Sequence, residues 1–272
     1  MPLTLALMTD VHFGPEARFQ GKLRKLSHEA ERLSLAATAA IREAVRPDLM
    51  VNLGDDVEDE SRELDLGRYT RCQEILRGVG VPVVNVAGNH DVVHLGADDL
   101  NRVWGRPAGT PLYYSFDAGG FHLTVLHTLE KKDVDIRIPE AQLRWLAADL
   151  AATSLPVVIL MHHSASEQDL SDSRWFAARP DLALVRERAD LRAIFEASGK
   201  VRVVLNGHVH RNHVDVIGGI PYVTFQSLIE NLDDDAPGRP AATYASVRLD
   251  ERRAVVRVHG NDPARYQFEA RA

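Results

Sequence analysis

Val81-Pro82-Val83-Val84-Asn85-Val86-Ala87-Gly88-Asn89-His90-Asp91 carries an apolar run straight into a glycine and three polar residues. A run this short and this rich in β-branched residues reads as a strand buried on both faces. Gly88 permits a tight turn. An ordinary turn has no need of an imidazole between two side-chain acceptors, so Gly88–Asp91 points to chemistry. The same arrangement recurs along the chain. Leu3–Thr9 ends in Asp10-Val11-His12, and Leu49–Leu53 in Gly54-Asp55-Asp56. Val157–Met161 ends in His162-His163, and Val201–Leu205 runs on to Gly207-His208-Val209-His210. Ligands of open α/β sheets gather beyond the carboxyl ends of strands, so five such ends can converge on one crevice.

Between these strands the spacing predicts helices. They are Leu23–Val45, closed by Pro47; an acidic segment running to Leu76; Glu140–Leu150 after Pro139; and Leu182–Ala197. Hairpins are expected for Tyr113–Phe116 with Phe121–His127, for Val214–Ile217 with Tyr222–Phe225, and for Ala245–Leu249 with Ala254–His259. The pattern fits two central sheets with helices outside, α/β at first and more antiparallel later. No repeat or linker breaks it, so residues 1–272 are read as one domain.

The polar clusters fit metal ions. In extended chain, residues two apart share a side, so Asp10 with His12, and His208 with His210, can serve one centre. Carboxylate, carboxamide and imidazole suit Mn, Fe or Zn. The lone Cys72 excludes an internal disulfide and a thiolate zinc site. Asp10, His12, Asp55, Asn89, His162, His208 and His210 are too many for one transition-metal ion and suit two sharing a carboxylate. Glycines before Asp55, Asn89 and His208 allow close backbone approach. His28, His94, His122, His127, His213 and His259 lack such company and read as ordinary surface or core residues.

These five blocks, in this order, resemble the signature of the calcineurin-like metallophosphoesterases: Asp-X-His, Gly-Asp, Gly-Asn-His-Asp or -Glu, a later His, and Gly-His-X-His. They span residues 10 to 210. The resemblance implies a four-layer α/β/β/α sandwich with two mixed central sheets and a cofactor of two divalent or mixed-valent transition-metal ions. It implies Asp10, His12 and His210 on the first ion, Asn89, His162 and His208 on the second, and Asp55 bridging. It makes His90 a catalytic group facing the substrate, with Asp91 expected to orient it. Met161-His162-His163 and the spacing look nearest to the bacterial class III cyclic-nucleotide phosphodiesterases. Ser164-Ala165-Ser166 stands where a proline is usual in that group, and Asp56 and Glu58 follow Gly54-Asp55, which leaves the substrate open.

The implied activity is metal-dependent hydrolysis of phosphate esters, with a cyclic or simple diester as the leading substrate. Two ions activate a water and polarise the phosphoryl oxygens, while phosphoryl transfer asks mainly for positioning and charge stabilisation. A phosphomonoesterase, a nucleotide pyrophosphatase of the ADP-ribose type and a non-catalytic scaffold are the alternatives. Intact ligands and an intact His90 weigh against the scaffold. Phe13–Ser27, with Arg18, Lys22, Arg24 and Lys25, and Ser164–Pro180, with Arg174, Trp175, Phe176 and Arg179, are candidate substrate loops. Arg174, Trp175 and Phe176 are the candidate substrate-binding residues, basic and aromatic groups together suiting a phosphate on a flat group.

Thirty-two basic and 39 acidic residues give a net charge of -7, against a nucleic-acid polymer as partner. A small phosphate ester or nucleotide is the expected partner, with homo-oligomerisation left open. Leu3–Met8 is too short for a signal segment, and no apolar stretch is long enough to span a membrane. A cytoplasmic protein with no membrane partner is expected.

Overall fold

Leu3, Leu5 and Leu7 point to one side of the first strand, Ala6 and Met8 to the other, and both sides are buried. This follows from the two-residue period of a strand whose faces are both covered. The computed structural model describes residues 2–131, 135–233 and 235–269. Its elements are β1 (Leu3–Met8), β2 (Ala17–Phe19), β3 (Lys22–Lys25), α1 (Ala30–Ala40), β4 (Leu49–Asn52), α2 (Arg62–Arg77), β5 (Val83–Asn85), α3 (Asp91–His94), α4 (Ala97–Trp104), β6 (Tyr114–Ala118) and β7 (Phe121–Val125). They continue with β8 (Leu129–Lys131), β9 (Asp135–Arg137), α5 (Glu140–Ala152), β10 (Val157–Leu160), α6 (Arg188–Ser198), β11 (Val201–Asn206), β12 (His213–Ile217), β13 (Ile220–Thr224), β14 (Tyr244–Leu249), β15 (Arg253–His259) and β16 (Ala264–Glu269).

Two six-stranded mixed sheets form the centre, ordered β16-β15-β14-β1-β4-β5 and β12-β13-β11-β10-β7-β6. In the first, β1, β4 and β5 are parallel; in the second, β7, β10, β11 and β13 are parallel. Their facing sides share one core, in which Leu5, Val51 and Val247 meet Leu123, Leu160 and Leu205. Ala6, Met8 and Met50 face outward onto Leu33, Ala37 and Leu76 of α1 and α2. Ile159 and Tyr222 face Leu146, Leu150 and Phe195 of α5 and α6 on the opposite side. The layers are therefore α/β/β/α. Among the described residues, no helix is long and apolar enough to cross a membrane.

Two local expectations are corrected, and one strand was not foreseen. Leu23–Val45 is not one helix, because β3 pairs with β2 across Gln20 and Gly21, both at positive φ. Arg24 O accepts from Asn231 N and Leu26 N donates to Ile229 O, so tertiary pairing overrides helical spacing. Leu182–Ala197 becomes α-helical only at Arg188, after a single 3-10 turn at Pro180–Leu182, since Leu184 pairs with Ser164 and Val185 N bonds Ser164 O. The edge strand β16 carries a weak alternation that the sequence reading passed over.

Candidate metal and substrate site

All five clusters lie past the carboxyl ends of parallel strands, where the two sheets meet. Asp10 N bonds Gly54 O, and Gly207 N bonds His162 O, so neighbouring loops are locked together. His208 N, from the second sheet, donates to Asp10 Oδ2 of the first at 2.9 Å. The glycines are sterically required. A Cβ on Gly88 would lie 2.1 Å from Asp55 Oδ1, and one on Gly207 1.9 Å from Thr9 Oγ1.

Asp10, His12, Asp55, His208 and His210 all adopt left-handed backbone, with φ of 52°, 47°, 58°, 70° and 53°. Such conformations cost of order 1–3 kcal/mol each for ordinary residues and persist where the surroundings enforce them. They also change the reason that Asp10 and His12 converge. Both sit in left-handed backbone and not in alternating extended chain, so simple strand alternation is not what brings their side chains to one centre.

Each imidazole is oriented by a partner on its outer nitrogen. His162 Nδ1 donates to Leu53 O at 2.8 Å, and His208 Nε2 donates to Leu182 O at 2.8 Å. A carbonyl only accepts, so in the neutral rings His162 Nε2 and His208 Nδ1 are the nitrogens left with lone pairs. The Leu182 carbonyl is available because the helix begins later than the spacing suggests. His210 Nδ1 lies 2.8 Å from Glu230 Oε2, and His12 Nδ1 3.1 Å from Glu58 Oε2.

The inward atoms crowd together. His162 Nε2 is 3.3 Å from Asp55 Oδ2 and 3.1 Å from Asn89 Oδ1. His210 Nε2 is 3.3 Å from both Asp10 Oδ1 and His12 Nε2. Asp55 Oδ2 also lies 3.7 Å from His12 Nε2, while its Oδ1 accepts from His90 N at 2.9 Å. One oxygen of Asp55 thus faces both nitrogen groups. Asp10, His12 and His210 form one compact donor set, and Asp10, Asp55 and His162 an overlapping one. Lone pairs converging in buried surroundings call for cations, and an all-N/O set suits first-row transition metals.

The electrostatics say the same. Burial would raise Asp10 and Asp55, but His210 beside the first and His162, His90 and His12 around the second hold both carboxyls below their usual range. Burial would lower His162 and His210, yet Asp55 takes the former up to about 10, and Asp10 with Glu230 the latter to about 9. Those protons occupy places that a metal ion would take, since ligating imidazole must be neutral. His12 falls to about 4 through burial and Lys25, and His208 to about 3 through burial and His162.

His90 stands beside this cluster, its ring edge-on to His12 at 4.8 Å between centroids. The carboxylate on its Nδ1 is Asp59, at 2.5 Å. Asp91, expected to orient His90, is elsewhere engaged. Its oxygens accept backbone N–H groups of Asp55, Asp56 and Gly88 at 2.7–2.9 Å. It braces the Gly54 and Gly88 loops against each other, and burial with Asp56 and Asp55 nearby pushes its carboxyl well up.

A cleft of about 480 Å³ opens over these groups, lined by Phe19, Lys25, His90, Trp175, Phe176 and Arg179 among others. Trp175 packs on Phe19 at 5.0 Å, and its Nε1 donates to Glu230 at 3.1 Å; Phe176 packs on His208 at 4.9 Å. Arg174, named as a substrate contact, is turned away and donates to Asn231 O and Leu232 O. Arg179, further along the same segment, lines the cleft instead. The Ser164–Pro180 segment is fastened by Phe176 packing with Leu170, Leu184 and Val209, and by Arg211 bonding Asp172. Asp59 and Glu230 were not among the expected site residues, and Lys25 and Glu58, both named from the sequence, prove to be paired at 2.9 Å. Only its charge close to the Gly54-Asp55 cluster could have flagged Asp59; nothing local marks Glu230.

A two-sheet sandwich that gathers buried His and Asp donors at its strand ends defines the metallophosphoesterase class. The chain belongs to the calcineurin-like phosphoesterase family, whose model matches residues 3–212, a span holding all five clusters. It is 26% identical over 215 residues to a probable cyclic nucleotide phosphodiesterase of Synechococcus sp., covering 78% of this chain and 74% of the relative. A protein of the same description from Psychrobacter sp. is 25% identical over 206 residues, 71% of this chain and 55% of that one. In fold, the chain is similar to a dimetal phosphatase from Danio rerio, with a TM-score of 0.79, 18% identity and 99% of both chains covered. A purple acid phosphatase from yellow lupin aligns with a TM-score of 0.65 and 15% identity, over 99% of this chain and 53% of that one.

Proposed function

We propose that this chain hydrolyses small phosphate diesters, cyclic nucleotides foremost, at two divalent or mixed-valent ions of Mn, Fe or Zn. Asp10, His12 and His210 would hold one ion, Asn89, His162 and His208 the other, and Asp55 both. The observation that carries this reading is Asp55 Oδ2, placed between the nitrogens of His12 and His162 at the floor of the cleft. What the ions supply when bound is Lewis-acid polarisation of the phosphoryl oxygens and a more acidic water.

The chain's own residues do the remaining work. Asp59 fixes His90 through Nδ1, which leaves Nε2 to protonate the departing alkoxide. Phe19 and Trp175 offer a flat wall for a base or aryl group. The cleft holds little surplus positive charge outside the ions: Lys25 is matched by Glu58, Arg18 by Asp235 and Arg179 by Asp181, and Glu130 also lines it. A singly charged diester suits that balance better than a dianionic monoester. The volume is ordinary for a small-molecule site.

The test is a panel of cyclic AMP, bis-p-nitrophenyl phosphate, p-nitrophenyl phosphate and ADP-ribose. The protein is first chelated and then reconstituted with Mn, Fe, Zn or Co. The diesters should give the highest kcat/KM, and chelation should abolish turnover. Faster monoester hydrolysis with every metal would overturn the diester reading, and full activity after chelation would overturn the metal centre.

A further inference from the structure

A second polar groove lies on the outer face of the first sheet, far from the clustered histidines. The helices α1 and α2 cover β1 and β4 there, through Ala6, Met8 and Met50, but Arg248 of β14, Arg253 and Arg257 of β15 and Arg265 and Gln267 of β16 stay exposed. The groove, about 510 Å³, runs between Ala44–Val45 and this bare face, and Arg248, Arg253, Arg257, His259 and Arg265 line it with no acidic residue among them. All four arginines are exposed.

Their arrangement is costly without a counter-ion. Arg257 and Arg265 are directly opposed across the antiparallel pair β15–β16. Like charges in that position repel and weaken the pairing. Arg253 reaches Asp250 at 3.6 Å. The side chains of Arg248, Arg257 and Arg265 make no hydrogen bond or ion pair with any described residue. Arg62, Arg71, Arg137, Arg186, Arg192 and Arg211 each rest on a carboxylate, as expected in a chain of net charge -7. Arg42, Arg77 and Arg106 rest on carbonyls instead, so what sets the groove apart is that three arginines without a partner share one face.

We infer that this groove is a binding site for a small polyphosphate anion, bare or carried by a nucleoside. Guanidinium groups match phosphate oxygens in pairs of parallel hydrogen bonds, and the volume suits a nucleotide-sized ligand. A second copy of the same face is disfavoured, since a two-fold contact would set arginines against arginines. Thr4, on the groove, precedes Asp10 by six residues, so by strand rise the groove lies on the order of 15–20 Å from the candidate metal site.

Calorimetric titration with tripolyphosphate, and in a parallel arm with ATP, tests the site at near-physiological salt. Saturable binding should persist in Asp55→Asn and weaken at least tenfold in the double variant Arg257→Gln/Arg265→Gln. That variant should keep the wild-type rate on diesters and a melting temperature equal to or above wild type, because it removes a repulsive pair. Equal affinities in the two arms assign the site to the polyphosphate chain alone; tighter ATP assigns it to a nucleotide. Unchanged affinity in the double variant refutes the proposal, as does loss of binding in Asp55→Asn. Affinity for single-stranded DNA that exceeds both probes and grows with strand length would mark a polymer surface and also refute it.

Discussion

Replacing Glu230 by Gln should weaken one metal ion and loosen one wall of the cleft together. Glu230 is 2% exposed, and its Oε2 lies 2.8 Å from His210 Nδ1 and 3.1 Å from Trp175 Nε1. Gln keeps the shape but removes the charge, and its amide can face only one of these donors with oxygen. In the metal-free protein the gross Coulomb gain of this carboxylate on the His210 imidazolium at 2.8 Å is about 6 kcal/mol at an effective dielectric of about 20, a gain lost once a ligating ring is neutral. Relief of the buried carboxylate's desolvation returns much of that. Loss of a partner behind a ligating His typically costs 10- to 100-fold in metal affinity, or about 1.4–2.8 kcal/mol. Metal titration followed by calorimetry and elemental analysis should therefore show one of two ions weakened by that factor, with the second unchanged. Quenching of Trp175 fluorescence by acrylamide should rise in the same variant. Equal weakening of both ions, or none, would refute the assignment of Glu230 to His210 alone.

His90→Ala should keep both ions and lower kcat by roughly 10²- to 10⁴-fold, less for esters with a good leaving group; Asp59→Asn should follow it in direction with a smaller loss. If both losses are equal across leaving groups, proton donation is not the role of this pair. Trp175→Ala should raise KM for nucleotide and aryl diesters by the worth of a stacked ring, about 1–3 kcal/mol, and leave a small alkyl diester nearly unaffected; a uniform loss accompanied by a lower melting temperature would make the residue structural. In the chelated protein, His162 and His210 are raised to about 10 and about 9, so their stabilisation is complete below an unfolded pKa near 6.5 and is lost as pH climbs through 9 to 10. His12, lowered to about 4, acts oppositely and destabilises as pH falls from 6.5 towards 4. Chemical denaturation should thus place the stability maximum of the chelated protein near pH 6.5, with added metal moving it upward as the protons are displaced; a chelated protein that gains stability steadily from pH 6.5 to 10 contradicts these shifts.

The sequence by itself determined the family and the layered α/β architecture. Short apolar strands ending in glycine and polar groups are a local signal, and strand periodicity plus turn chemistry needs no knowledge of the rest of the fold. It also supplied the seven candidate ligands and His90, since each sits at fixed offset from a strand end. Tertiary structure alone decided what stands behind them. Asp59 against His90, Glu230 joining His210 to Trp175, Leu182 O on His208 and Leu53 O on His162 pair residues from separate elements, and no local pattern encodes such contacts. Asp91 shows the limit of adjacency: next to His90 in sequence, it turns into the loop backbone because three buried N–H groups there require an acceptor. The segments misread as longer helices failed for the same reason. Helical spacing in Leu23–Leu26 and Leu182–Glu187 yields to pairing with distant chain, because a buried backbone must find its hydrogen bonds wherever the packing offers them.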